Sequence, residues 1–225
     1  MERHFTDDLR ELNAALLKMS SLTEEAINVS IQALKDLNVY LAQEVIDRDT
    51  RVDEMEIEIE EKAIDILALH QPLARDLRFV TTAIQINANL ERIADLAVNI
   101  SQMVLELAAV RPLLKPLIDI PRLSELARSM VRKSMDAFVN HDGALAREAI
   151  LMEAEADRLR NLIQDELMNE FMIIDGKTAP RAVPLLLIAR HLERICGQAA
   201  NIAESVIYLE QAIVVKHHPE KLELP

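Results

Sequence analysis

The sequence predicts an all-α protein built as two tandem three-helix bundles, six long helices related by a pseudo-twofold. Three observations carry that expectation. Half of the 225 residues are apolar, yet only 3% are aromatic and none is Trp, so the core has to be aliphatic. The whole chain has three glycines, where strand-and-turn architectures need more. And one phrase is written twice: NLERIADLAVNIS at 89–101 returns as HLERICGQAANIA at 191–203, offset by 102 residues, with seven of thirteen positions identical.

The first helix shows itself as a seam. Phe5, Leu9, Leu12, Leu16, Met19, Thr23, Ala26, Ser30, Ala33 and Leu37 alternate spacings of four and three, the stripe of a helix that packs on other helices. Thr6, followed by Asp7 and Asp8, reads as an N-cap with an acidic first turn. Asn38 is the candidate cap of a second helix that runs to about Leu69. His70-Gln71-Pro72 turns the chain into a third helix over Ala74 to Ala109. The stretch RPLLKPLIDIP (111–121) has three prolines in eleven residues and reads as a linker.

The order then repeats. A fourth helix is expected from about Arg122 to Asn140, broken at His141-Asp142-Gly143, and a fifth from there to about Glu170. Asp175-Gly176-Lys177 leads into a sixth that reaches about Val215, with Pro184 expected to kink it or delay its start. The second helices echo each other as well: LAQEVIDRDTRVD (41–53) returns as LAREAILMEAEAD (145–157), offset by 104 residues. Two copies of one three-helix unit account for both echoes. The division is a first repeat at 1–110, the linker at 111–121, a second repeat at 122–216 and a tail at 217–225.

Charge and cysteine usage narrow the function classes. A net charge of −13 argues against direct nucleic-acid binding, which needs a basic footprint, and suits cations or a basic protein partner. A single Cys excludes an internal disulfide and a Cys-rich zinc site, and fits a reducing compartment. The N-terminus MERHFTDDLR lacks the apolar stretch of a signal peptide, and the longest apolar run, AVPLLLIA (182–189), falls far short of the roughly 20 residues a membrane helix needs. The expectation is a cytoplasmic protein without membrane insertion.

The chemistry is carried by acids spaced four apart. The first unit has Asp49/Asp53 and Glu91/Asp95; the second has Glu153/Asp157 and Glu193/Gly197. Residues i and i+4 share a helix face about 5–6 Å apart, so like charges placed there repel unless something neutralises them. Folding each hairpin brings the pairs level. Asp53 and Glu91 lie 19 residues either side of Pro72, and Asp49 and Asp95 lie 23. About Asp175, Asp157 and Glu193 are 18 away, and Glu153 and Gly197 are 22. If the faces meet, four carboxylates converge in the first unit and three in the second. Asn99 and Asn201 add an amide oxygen one turn further along each stripe. Oxygen donors without Cys or His suit a hard cation such as Mg²⁺, Mn²⁺, Ca²⁺ or iron. The competing reading has these acids facing solvent or paired with Arg48, Arg51, Arg92 or Arg158.

The phrases LERIADLAVNI and HLERICGQAANIAE, preceded by DRDTRVD and EAEAD, resemble the PhoU family of phosphate-transport regulators over nearly the whole chain. That family carries two E/D-xxx-D motifs in each three-helix repeat, and Gly197 departs from the pattern. The resemblance implies a cytoplasmic, oligomeric protein, here expected as a homodimer, that binds metal ions on carboxylate-lined surfaces. It further implies negative control of phosphate-starvation signalling, between the ATPase of a phosphate ABC transporter and a sensor histidine kinase.

Other classes fit less well. A di-iron carboxylate enzyme on a helical bundle needs Glu-x-x-His on two helices, and the sequence has none. No Gly-rich nucleotide loop occurs, because Gly143, Gly176 and Gly197 stand far apart. Nothing resembles a nucleophile–base pair, and no enzyme activity is expected. A metal-independent helical adaptor stays open. Cys196, on an apolar helix, reads as a core residue, and the nine methionines as core fillers. His191, two residues before Glu193, reads as pointing elsewhere on the helix. For Gly197 two outcomes stay open: a decayed second site, or a missing side chain whose space is used by a water, an anion or a closely packed helix.

Overall fold

The structure, a computed structural model, describes residues 2–115 and 117–216, with side chains from residue 4. The tail at 217–225, including His217-His218, lies outside the described residues. The first unit consists of α1 (Glu2–Asp36), α2 (Val39–His70) and α3 (Ala74–Ala109). The second consists of α4 (Asp119–Asn140), α5 (Gly143–Leu151), α6 (Glu153–Glu166) and α7 (Ala179–Gln211), with α5 and α6 forming one arm interrupted at Met152. Among the described residues no strand occurs.

The predicted seam of α1 is the buried one. Leu12, Leu16, Met19, Thr23, Ser30, Ala33 and Leu37 are all buried, and the two hydroxyls return their donors to the helix backbone, Thr23 to the Met19 carbonyl at 2.9 Å and Ser30 to the Ile27 carbonyl at 2.8 Å. The turns follow the residues that predicted them. Asn38 Oδ1 accepts from the backbone N–H of Tyr40 and Leu41 at 3.0 and 3.3 Å, and Asp142 Oδ1 accepts from Ala144 and Leu145 at 2.9 and 3.0 Å. Gln71 and His141 close α2 and α4 in the left-handed region.

Four boundaries differ from expectation, each for a physical reason. Helix α1 begins at Glu2, so Thr6 lies inside it rather than at its N-cap. Residues before Thr6 extend the stripe far enough for the Phe5 ring to reach His70, with centroids 5.1 Å apart, while Asp8 meets the same imidazole at 2.9 Å. Helix α4 starts at Asp119, because Pro121 falls in a first turn whose N–H groups need no partner. The fifth helix is not continuous. It breaks at Met152, where the N–H bonds the Ala149 carbonyl three residues back, and it widens into a π-turn over Leu167–Met172. Helix α7 begins at Ala179 and continues through Pro184, which neither delays nor ends it, and stops at Gln211 rather than Val215 because Ala212 takes a left-handed conformation.

Helices α1, α2 and α3 pack on one another, as do α4, the α5–α6 arm and α7. The most extensive interface in the molecule joins α3 to α7 between the units, and α1 packs on α4. Helices α3 and α7 run antiparallel. Arg75 near the start of α3 donates to Glu210 near the end of α7 at 3.0 Å, and Ser205 donates to Gln85 Oε1 at 3.1 Å. Leu90 and Leu192, which hold the same place in the repeated phrase, are both fully buried in a single core. That core holds the acid-bearing faces of α2, α3, α6 and α7 in place.

Candidate functional site

In the first unit, α2 supplies Asp49 and Asp53 and α3 supplies Glu91 and Asp95. The packed faces of α2 bury Val45, Val52, Met55 and Ile59. Asp49 borders this stripe and is half-buried, while Asp53 is exposed. Burial, then repulsion from Asp53 and Asp95, raises Asp49 to about 6. Glu91, also half-buried, rises to about 7: burial leads, and repulsion by Asp95, Glu56 and Asp53 outweighs the attraction of Arg92. The repulsions cross from one helix to the other, so the two i, i+4 pairs share one field. Glu56 belongs to it too. The spacing Asp49, Asp53, Glu56 (i, i+4, i+7) was the available signal, hidden in a run of acids along α2.

The arginines divide unevenly. Arg92 donates to Asp95 at 2.8 Å, so one expected ligand is held by the residue three before it. Arg48 goes to Glu44 and Glu25, Arg51 to Glu54, and Arg158 to Glu155, leaving the other candidate acids unclaimed by them. Asn99 is half-buried one turn beyond Asp95. Among the described residues no three His, Cys, Asp or Glu side chains stand close enough together to hold one ion.

In the second unit, Glu153 and Asp157 come from α6 and Glu193 from α7, with half-buried Asn201 further along. Residue 153 is exposed overall, yet partial burial of its carboxylate, then repulsion from Asp157, Glu204 and Glu193, raises its pKa. Glu204 is the acid that the sequence reading missed here; it sits three residues past Asn201 on the same stripe. Gly197 is open. A Cβ built there would meet Glu153 Oε1 at 3.6 Å, an ordinary van der Waals contact, and among the described residues no other atom of a neighbouring helix comes within 4 Å. The carboxylate of Glu153, one methylene longer than Asp49, thus reaches toward the place of the missing acid. Losing that acid has a second effect. Arg92 has Asp95 three residues on; Arg194 has Gly197, and makes no hydrogen bond or ion pair to a described residue.

Two further side chains are placed by this arrangement. Cys196 is fully buried, and burial together with Glu193, Glu153 and Asp157 pushes its thiol above its ordinary range, which keeps it unreactive. His191 is half-buried with Nδ1 enclosed and unpartnered. Burial, then Arg194, Arg190 and Arg92, lowers its pKa and keeps the ring neutral. Among the described residues no helix is long and apolar enough to cross a membrane.

With this geometry in hand, similarity to known proteins is informative. The PhoU domain matches at residues 16–104 and again at 120–206, one match per unit. A protein of Aquifex aeolicus named phosphate-specific transport system accessory protein PhoU homolog is 39% identical over 210 residues, covering 93% of this chain and 94% of that one. A protein of Zymomonas mobilis with the same name is 35% identical over 223 residues, covering 96% and 90%. The crystal structure of PhoU from Pseudomonas aeruginosa superposes with a TM-score of 0.90 at 31% identity, over 93% of this chain and 100% of that one. That of the phosphate transport system regulatory protein PhoU from Streptococcus pneumoniae gives 0.87 at 26%, over 94% and 99%. Two domain matches, full-length relatives and a shared fold agree: the chain belongs to the PhoU family.

Proposed function

We propose that this protein is a regulatory adaptor of phosphate uptake. It restrains phosphate-starvation signalling by joining the ATPase of a phosphate ABC transporter to a sensor histidine kinase, and it acts in the cytoplasm as a homodimer of two-repeat chains. The relatives named as phosphate-specific transport system accessory proteins support the process. The pairing of two acidic sites on one rigid helical body supports an adaptor over a catalyst.

The single observation that carries the metal part is the crowding of Asp49, Asp53, Glu91 and Asp95: burial first, and then their repulsion across the two helices, lift Asp49 to about 6 and Glu91 to about 7. Such a cluster costs stability when empty and is relieved by a cation. The donor set, carboxylates with an amide oxygen, fits Mg²⁺, Mn²⁺ or iron. Asp49, Asp53, Glu91, Asp95 and Asn99 would hold it in the first unit, and Glu153, Asp157, Glu193 and Asn201 in the second. When bound, the ion supplies positive charge that fixes the relative positions of two helices. The chain's own acids supply orientation, and Arg92 holds Asp95 in register.

One observation favours the metal-independent adaptor: no three of these side chains close on one point as they stand. Elemental analysis of purified protein separates the two readings. The regulatory role is tested by deleting the gene in a strain with a phosphate-starvation reporter. The expected result is a reporter that stays on in ample phosphate; unchanged reporter output and uptake would remove the regulatory reading.

A further inference from the structure

Between α6 and α7 lies a groove of about 510 Å³ whose polar lining differs in charge from the residues at the equivalent places of the first unit. Arg160, Gln164, Arg190 and Glu193 line it, against an apolar wall that includes Met168 and Leu186. The offsets of the two echoes, 104 for the second helices and 102 for the third, give the first-unit residues at these places: Glu56, Glu60, Ala88 and Glu91. Two acids have become Arg and Gln, a small apolar residue has become Arg, and one acid is kept.

The exchange is a change of function for the surface rather than of the fold. The buried positions that flank it are still paired: Met55 with Leu159, Ile59 with Ile163, Ala63 with Leu167 and Leu90 with Leu192, all buried. The two guanidinium groups also lack the partners that surface arginines usually find. Arg160 makes a single bond of 3.5 Å, to the neutral Gln164 Oε1, and Arg190 makes no hydrogen bond or ion pair to a described residue. One turn along α7, Arg194 is unpaired for the reason already given, the glycine at 197. Like charges brought from two helices to one groove repel, and an anion between them removes that cost. Guanidinium forks match the oxygens of a phosphate-class anion two at a time.

We propose that the α6–α7 groove of the second unit binds a phosphate-class oxyanion through Arg160 and Arg190, with Arg194 adding charge at its edge and the Gln164 amide a further donor. Glu193, which also lines the groove, repels any anion, so the guanidinium groups have to outweigh it. The inference needs no cation, although it shares Glu193 with the metal reading, which is why the titration is run with a chelator.

Calorimetric titration of the full chain with inorganic phosphate, in the presence of a chelator, tests it. Saturable binding that weakens with added salt is expected. Replacing the groove residues by those of the first unit, Arg160→Glu with Arg190→Ala, should weaken binding at least about tenfold, while Arg160→Lys with Arg190→Lys, which keeps the charge but not the forks, should weaken it less. Adenosine 5′-monophosphate distinguishes the source: tighter binding than inorganic phosphate assigns a phosphate ester seated on the apolar wall, and equal or weaker binding assigns the free ion. No binding at millimolar phosphate, equal binding by the Glu/Ala variant, or binding that appears only when metal is added would each overturn the proposal. If the Glu/Ala variant does not fold, the side-chain Nε resonances of Arg160 and Arg190 in the unaltered protein decide. A phosphate-dependent shift there supports the site, and none overturns it.

Discussion

The hairpins α2–α3 and α6–α7 share a register, a buried face and an acidic motif, but they solve the motif's electrostatic problem differently. In the first hairpin the helix is unbroken through Asp49 and Asp53, four acids and Glu56 crowd one another, and Arg92 pairs with one. In the second, the arm is interrupted at Met152 directly before Glu153, Gly197 stands where the first hairpin has an acid, and arginines stand at 160 and 190. The first hairpin keeps its repulsion at two acids, Asp49 and Glu91, and the second keeps it at Glu153 alone. Duplicated scaffolds allow this because the buried positions that hold the fold are distinct from the exposed positions that set the charge.

The largest expected effect tests whether the two scaffolds are equivalent. Leu90→Ala and Leu192→Ala remove fully buried side chains at matching positions, and each should cost about 2–5 kcal/mol of stability by chemical denaturation. A difference between them larger than that range would break the symmetry of the core.

Next in size is the charge difference. Converting Asp49, Asp53 and Asp95 to Asn and Glu91 to Gln should abolish metal loading of the first unit while circular dichroism stays unchanged. In the metal-free state it should raise the melting temperature by about 2–4 °C, the shift that about 1 kcal/mol gives in a chain of this size. Unchanged metal content would remove the site assignment, and lost helicity would make the acids structural. The pH dependence carries the same signature. Asp49 and Glu91 titrate at about 6 and 7 folded against 3.8 and 4.5 as free side chains, so between these limits the folded state binds more protons than the unfolded one. The metal-free protein should therefore gain stability as pH falls from about 8 to 5, and the quadruple variant should lose most of that gain. Thermal melts across this range measure it.

A smaller effect tests the matching caps. Asn38 and Asp142, 104 residues apart, each accept two backbone N–H bonds. Asn38→Ala and Asp142→Ala should each cost about 1 kcal/mol, read by denaturant midpoint.

Smallest is Gly197. With a Cβ meeting Glu153 Oε1 at an ordinary 3.6 Å, Gly197→Ala should gain about 0.5–1 kcal/mol from helix propensity. Gly197→Asp restores an acid three residues after Arg194. We expect it to increase metal stoichiometry in the second unit and to give a cation-dependent rise in melting temperature. A variant that loses metal already held there would instead show that Glu153 uses the open space.

By itself the sequence determined the helices, their turns and the level of the acids. These are local matters: a 4–3 stripe, an Asn or Asp before a helix, and equal residue counts about a turn each act through neighbours along one chain. It also determined which residues correspond between units. The tertiary structure decided what distance along the chain conceals. Glu56 and Glu204 join their clusters because packing sets those helix faces beside the motif acids, and their spacing alone was lost among exposed acids. Arg92, one of four candidate arginines, is the one that engages a motif acid, because side-chain direction selects among equally plausible partners. The break at Met152 and the π-turn after α6 arise where the second arm is fitted to α4 and α7, against a sequence that reads as one continuous helix. And Gly197, ambiguous in one dimension, is open toward Glu153 because only the packed hairpin brings a carboxylate on α6 up to a missing side chain on α7.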